Sequence, residues 1–553
     1  MTAELSPGEA PGVVSVSNRR DMLASLSALV VALLLLAAML GTLFEKNLVG
    51  VVAPQSVDRE LYGTAAALTK LRFGIGGAAI DKRILATLLR SGFTDGPLPE
   101  LSKPYPENLN DAALLQSALD KAQTFDVEPP RTFTNDNGEY TDLISFTGED
   151  TGMATYAFLA FVIFGVHISS FTYFYFVIVT VSLFLYGAGH GCRSGAMAAA
   201  VVMTLALYVV TCSDFVNFQR VGTDVKDVRF LSTLAAIPTL HLLVTWTRHS
   251  YRLSLFDYAF LALQSGIFAF ALQIRASTIW AVIALTLYWI VIAIVNLRRG
   301  GVLTSLLRWR QSRSVVTLAA VFAILISARL LATLSLSPVY AALGDVTYHT
   351  FWQGVLSSLQ LTPEWDIKYG PSVNGAGGDA MPAEVAHIAI MKLPPEERRQ
   401  YVNSDGETKR FALEKFSKIA FFNILSNDPR FVLYTFFVAK PLRIMQTEKR
   451  FFDGLFGGLS IWNILVPIPV ILFVSWLLAR NFEALDAARS TATAASLFIL
   501  VAWLPNWLIA LNPLVMFDNF VWIVFFLMAC VAIILAVASG FIRASARRPK
   551  MVA

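Results

Sequence analysis

Met153–Ile168 reads MATYAFLAFVIFGVHI, sixteen residues without an acid, a lysine or an arginine. At about 1.5 Å of rise per residue it falls short of the roughly 30 Å of hydrocarbon that a crossing helix must span. Whether it crosses decides on which side of a membrane everything downstream lies. Basic residues make the choice, because short cytoplasmic loops collect Lys and Arg. Read as a helix lying in the interface, it leaves ten apolar runs long enough to cross, near 22–44, 170–188, 197–213, 230–247, 255–273, 277–297, 314–336, 454–479, 491–511 and 515–540. The arginines then agree. Arg19 and Arg20, Arg193, Arg248 and Arg252, the group Arg298 to Arg313, Arg480 and Arg489, and the tail with Arg543, Arg547, Arg548 and Lys550 all fall on one side. An eleventh crossing at 153–168 breaks that agreement. So does one at Arg430–Met445, which is equally short and carries Lys440, Pro441 and Arg443. Both segments therefore read as interfacial helices.

Composition points the same way. The chain has 553 residues, 56% hydrophobic and 15% charged, with a mean hydropathy of +0.59, whereas soluble domains carry about 25% charged residues. The expectation is an all-α polytopic membrane protein with about ten transmembrane helices and two large outer inserts. It divides into a cytoplasmic tail (1–21), a first transmembrane helix (22–44), an outer loop with interfacial helices (45–169), a bundle (170–336), a second outer insert (337–453), C-terminal transmembrane helices (454–540) and a basic cytoplasmic tail (541–553). Both termini are placed in the cytoplasm and the inserts in the periplasm of a bacterial inner membrane. The first run is too long for a cleaved signal peptide and reads as a signal anchor. Most of the net charge of +5 thus orients the bundle, and nucleic-acid binding is not needed to explain it. Cys192, Cys212 and Cys530 are odd in number and form no CxxC, so neither a disulfide framework nor a zinc site is read. HExxH, GxSxG and P-loop patterns are absent from the sequence, and no Rossmann glycine pattern is read after a strand.

In the first insert Val57–Leu71, Ala79–Leu89 and Asn110–Ala122 have helical apolar spacing. The second runs through a Gly-rich stretch, 370–378, into a charged helical segment, Glu396–Phe422, and on to the interfacial helix.

The apolar runs hold almost nothing that titrates, so the chemistry belongs on the outer face. Arg329 lies about two turns inside its run, where an arginine is costly unless paired or wet; snorkelling to the interface accounts for it equally well. Arg275 sits in a tight outer turn, Gln273–Thr278, between two expected crossings. A guanidinium held there suits a phosphate, which it binds bidentately, although an ordinary interfacial arginine fits the same position. Acids cluster near the membrane: Glu45 after the first run, Asp58 and Glu60 at the start of an amphipathic helix, and Glu149 and Asp150 just before Met153. A carboxylate facing a membrane cavity can take a proton from a hydroxyl. Acids at helix starts are also common for dipole reasons alone.

Two local patterns resemble those of the GT-C integral membrane glycosyltransferases, such as protein O-mannosyltransferases and lipid A aminoarabinose transferases. Asp58-Arg-Glu-Leu-Tyr62 is similar to the D-E-x-x-Y opening of that family's first interfacial helix, with Arg59 where Glu is usual. Gly148 to Gly165, with Tyr156 and Phe164 in place and Ser169-Ser170 following, resembles its second interfacial helix. Tyr348-His349-Thr-Phe-Trp352 and the stretch from Asn427-Asp428-Pro429 to Lys440-Pro441 resemble parts of its late outer loop. No K-P-P-type signature precedes Tyr156, so no subtype follows.

The resemblance implies inverting transfer of a sugar from a polyprenyl-phosphate donor to an envelope lipid, glycan or protein acceptor. Asp58 is the first choice for general base, with Glu45 and the Glu149/Asp150 pair as competitors. Arg275, Arg329, Lys440 and Arg443 would hold the donor phosphate, and Tyr156, His349 and Trp352 would line the acceptor and sugar pocket. Membrane lipids and the polyprenyl-phosphate donor are the implied partners. Some relatives bridge carboxylate and phosphate with a divalent metal ion; the sequence has no dedicated ligand set for one. Two other readings remain at this point: a lipid or solute transporter, which asks for repeats and polar groups at mid-span, and a non-catalytic assembly subunit.

Overall fold

The structure, a computed structural model, describes residues 57–75, 79–89, 112–124, 126, 128–130, 142–145, 152–190, 231–235, 237–239, 241–242, 255–275, 278–279, 281–283, 285–287, 290, 322, 325–326, 351–361, 364–365, 368, 380–402, 408–440 and 442. These residues are mostly helical. Two helices, α5 (Ser169–His190) and α6 (Leu255–Ile274), contain apolar windows long enough to cross a membrane.

The segment before them contains α1 (Val57–Phe73), β1 (Ala79–Asp81), α2 (Lys82–Leu89), α3 (Ala112–Thr124), β2 (Leu143–Ser145) and α4 (Gly152–Phe164). The all-helical expectation is corrected here by a short antiparallel ribbon, with Ala79 opposite Ser145 and Asp81 opposite Leu143. Residues 79–81 leave the expected helix because their backbone groups pair across to β2, and Asp81 then anchors the start of α2. Its fully buried carboxylate accepts from the Arg83 backbone N–H at 2.8 Å, from Arg83 Nε at 3.0 Å and from Nη2 at 2.5 Å. The Asp81 N–H donates to Thr69 Oγ1 at 2.9 Å, which ties the ribbon to α1. The Arg83 pKa is raised, first by its hydrogen bond to Asp81.

α4 is a separate helix of thirteen residues, and a sharp corner divides it from α5. Gly165 turns that corner at φ +85°, a conformation that L side chains rarely adopt. The Ser170 hydroxyl donates to the Gly165 carbonyl at 2.7 Å. Gln116 of α3 holds the same corner from outside, donating to the Val166 carbonyl at 3.2 Å and accepting the Ile168 N–H at 3.0 Å. α5 and α6 then pack on each other. Midway along them Ser182 Oγ donates to Gln264 Oε1 at 2.7 Å, and Gln264 Nε2 donates to the Ser182 carbonyl at 2.6 Å. Polar groups buried between apolar helices need such closed pairs. On the other side of α5, Tyr173, Val177, Val181 and Phe184 form an exposed stripe at helical spacing.

The late segment contains α7 (Phe351–Ser357), a 3-10 turn (Ser358–Leu361), α8 (Ala380–Met391), α9 (Pro395–Arg398), α10 (Arg410–Asn427), α11 (Pro429–Tyr434) and a π turn (Thr435–Ala439). Leu356, Leu359, Trp365, Phe421, Phe431 and Phe436 belong to its main core. The helix expected over Glu396–Phe422 is interrupted: Val402 pairs with Thr408 in an isolated bridge, around a sequence, Asn403-Ser-Asp-Gly-Glu407, made of turn formers. α10 ends at Asp428, which caps α11 by accepting the Phe431 N–H at 3.1 Å. Hydrogen bonds from Lys368 and then Phe431 hold the Asp428 carboxyl below its usual pKa. On α11 and the π turn, Leu433, Tyr434, Phe437 and Val438 face outward while Phe431, Val432 and Phe436 face the core.

Candidate active site

α1 and α4 lie side by side and run in the same direction. Gly63 meets Met153, and seven residues further along α1 the Lys70 ammonium sits 4.1 Å from the centre of the Phe158 ring. A Cβ on Gly63 would come within 2.6 Å of Met153 Cγ, so glycine is what lets the helices approach. Both helices therefore begin at one end of the pair, with the first turn of α1 running beyond the start of α4. Asp58 is in the first turn of α1. Glu149 and Asp150, which precede α4 in sequence, are outside the described residues.

The C-terminus of α6 reaches this same end. A Cβ on Gly152, the first residue of α4, would lie 2.3 Å from the Gln273 carbonyl carbon and 2.5 Å from the Ile274 nitrogen. Arg275 follows directly. Its N–H donates to the Ala271 carbonyl at 3.0 Å and its own carbonyl accepts from Thr278 N–H at 3.0 Å, which is the tight turn expected from Gln273–Thr278. Arg275 is partly buried. A helix N-terminus carries roughly half a positive charge and a C-terminus roughly half a negative one, so where α4 begins and α6 ends it is the Arg275 guanidinium that suits a carboxylate or a phosphate.

The other candidates divide. Tyr156 is fully buried, its hydroxyl donating to the Phe171 carbonyl at 2.6 Å and its ring packed among Phe171, Phe174 and Phe270. That position joins α4, α5 and α6 and is not an open pocket wall. Trp352 opens α7, with its ring against Phe421 and Phe422 and the Lys418 ammonium 5.6 Å from its centre. Lys440 follows the π turn, fully buried, with Nζ 5.0 Å from the Phe436 ring centre and without a hydrogen-bond partner. Burial pushes its pKa down to about 7. Arg329, Arg443 and His349 lie outside the described residues. Among the described residues no three His, Cys, Asp or Glu side chains gather as a metal site.

Two organising residues had no mark in their own sequence neighbourhoods. Glu414 of α10 caps α7 from a distance, its carboxylate accepting from the N–H groups of Phe351 at 3.0 Å, Trp352 at 2.8 Å and Gln353 at 3.1 Å. Gly152 stands just before an apolar run, and a glycine at a helix start is common enough to carry no signal of its own.

Comparison of the chain with protein families, with curated proteins and with solved structures finds no match.

Proposed function

We propose that this chain is a multi-pass membrane glycosyltransferase of the GT-C kind, moving a sugar from a polyprenyl-phosphate donor to an envelope acceptor at the periplasmic face of a bacterial inner membrane. The observation that carries the reading is the contact of Gly152 with Gln273 and Ile274, together with the parallel register of α1 and α4. Through these, the start of α4 meets the turn that carries Arg275, and α1, which carries Asp58, begins at the same end. The exposed stripe on α5 and the outward apolar residues of α11 support the lipid setting.

In the reaction the carboxylate of Asp58 or Asp150 takes the proton of the acceptor hydroxyl as its oxygen bonds to the anomeric carbon. The bond from that carbon to the phosphate oxygen breaks on the opposite face, giving inversion. The polyprenyl phosphate leaves with the electron pair, and Arg275 stabilises its charge. The protein groups need only orient the two substrates and hold these charges in a water-poor site.

The test is genetic. A strain lacking the protein should lose an envelope glycan, and Asp58→Asn, Asp150→Asn and Arg275→Ala should be compared for restoring it while inserting at wild-type levels. Restoration by all three would sink the residue assignments. A deletion that changes no glycan would sink the enzyme reading itself and leave the non-catalytic subunit or transporter.

A further inference from the structure

π turns are rare and are frequently found at functional sites. In the late segment the Lys440 N–H donates to the Thr435 carbonyl across one, and the widened turn brings Lys440 round above Thr435. Both side chains are fully buried, and neither Thr435 Oγ1 nor Lys440 Nζ has a hydrogen-bond partner. The 3-10 turn Ser358–Leu361 packs against this π turn. It carries Gln360, whose amide oxygen and nitrogen are both enclosed without partners, and Glu364, four residues further along the chain, has its Oε2 in the same condition. Buried polar groups are satisfied in the great majority of cases, so open ones concentrated on adjoining turns ask for a ligand.

Their chemistry narrows its class. Lys440 is a pure donor that needs an anion; Gln360 Oε1 and Glu364 Oε2 are acceptors that need donors; the Thr435 hydroxyl serves either way. A bare phosphate answers Lys440 and repels Glu364. A neutral sugar answers the acceptors and leaves the ammonium uncompensated. A hydroxylated ring bearing an anionic group meets both demands.

We propose that Gln360, Glu364, Thr435 and Lys440 form a binding site for a sugar phosphate or an equivalent hydroxylated anion, between the 3-10 turn and the π turn. The site rests on the transfer reading only in keeping Lys440 as an anion holder, and it needs neither Arg275 nor an acid of the first insert. The ring is free in solution or borne on a lipid; the chemistry is shared.

The experiment uses the full chain in phosphatidylcholine nanodiscs, with thermal unfolding followed in the presence of glucose 1-phosphate, glucose or inorganic phosphate at equal concentration, and again in discs containing phosphatidylinositol. A rise in Tm with glucose 1-phosphate, absent with glucose or phosphate, is expected for a soluble ligand; a rise only in phosphatidylinositol discs assigns the lipid-borne one. Lys440→Met and Gln360→Leu should abolish the rise, and Arg275→Ala should keep it. Because both substitutions replace an unpaired polar group by apolar atoms of similar size, the ligand-free variants should melt no lower than wild type, which separates loss of the site from misfolding. If Lys440→Met does not assemble, Thr435→Val takes its place. No rise from either ring-bearing probe, a rise equalled by phosphate or glucose alone, or a rise that survives in both variants would overturn the proposal. Sugar transfer lost in Arg275→Ala with the rise intact would keep the two sites apart.

Discussion

Gly152 touches the backbone of Gln273 so closely that no side chain fits between them: a Cβ would stand 2.3 Å from the Gln273 carbonyl carbon. Gly152→Ala therefore forces α4 and α6 apart at the end where Arg275 sits. Such overpacking costs about 1–3 kcal/mol. Gly266, in the middle of α6, has nothing within 4 Å of its Cβ position, and alanine there should stabilise by up to about 1 kcal/mol through helix propensity. Melting of the two variants in detergent checks the pair: Gly152→Ala should fall and Gly266→Ala should hold or rise.

Glu414 gives α7 the cap that its own sequence lacks. Removing it by Glu414→Ala leaves the N–H groups of Phe351, Trp352 and Gln353 without an acceptor and should destabilise the late segment by about 1–3 kcal/mol. Glu414→Gln, which keeps one acceptor oxygen, should lose less. Hydrogen exchange of the amides at 351–353 reads the effect locally, and unchanged protection in Glu414→Ala would contradict the cap.

Lys440 gives a pH signature of known sign. Its pKa is about 7 folded against 10.5 for the ordinary side chain. Between those values the unfolded chain holds a proton that the folded one lacks, so this contribution to stability rises with pH across the window and is lost as pH falls through 7. Each unit of difference is worth about 1.4 kcal/mol. Without ligand, Lys440→Met should be more stable than wild type near neutral pH, and the gap should narrow toward pH 10, as followed by Tm. A gap that is constant with pH would contradict the buried, unpaired amine.

Ser182 and Gln264 should couple. In a double-mutant cycle of Ser182→Ala and Gln264→Leu, interhelical pairs of this sort in membranes average about 0.6 kcal/mol. The Gln264→Leu single variant tests whether the pair binds the helices or the leucine packs as well; additivity within error would show that the bonds contribute nothing jointly.

Helices were legible wherever apolar spacing was regular and local. Val57–Phe73, Ala112–Thr124, Ser169–His190 and Leu255–Ile274 all begin and end close to where the pattern places them. What stayed hidden depends on partners distant in the chain. Ala79–Asp81 reads as helix until Leu143–Ser145 arrives to pair with it. Gln116 reaches the corner at Ile168, fifty-two positions away, and Glu414 reaches Trp352, sixty-two away. Lys440, beside Pro441 and Arg443, reads as a cation at an interface; its burial follows from the π turn, which has no sequence signature of its own. Of the candidate site, the Arg275 turn was legible from the shortness of Gln273–Thr278, whereas its meeting with the start of α4 depended on a glycine that no spacing rule singles out.

The most direct measurement is sugar transfer by the purified full chain, from a polyprenyl-phosphate sugar to an acceptor lipid extract, in wild type, Asp58→Asn, Asp150→Asn and Arg275→Ala with matched Tm values. A general base contributes about 10²–10⁴-fold. The expected result is a loss of that size in one of the two Asn variants and a comparable loss in Arg275→Ala. Wild-type transfer rates in all three variants would contradict the proposed site beside the contact of α4 with α6.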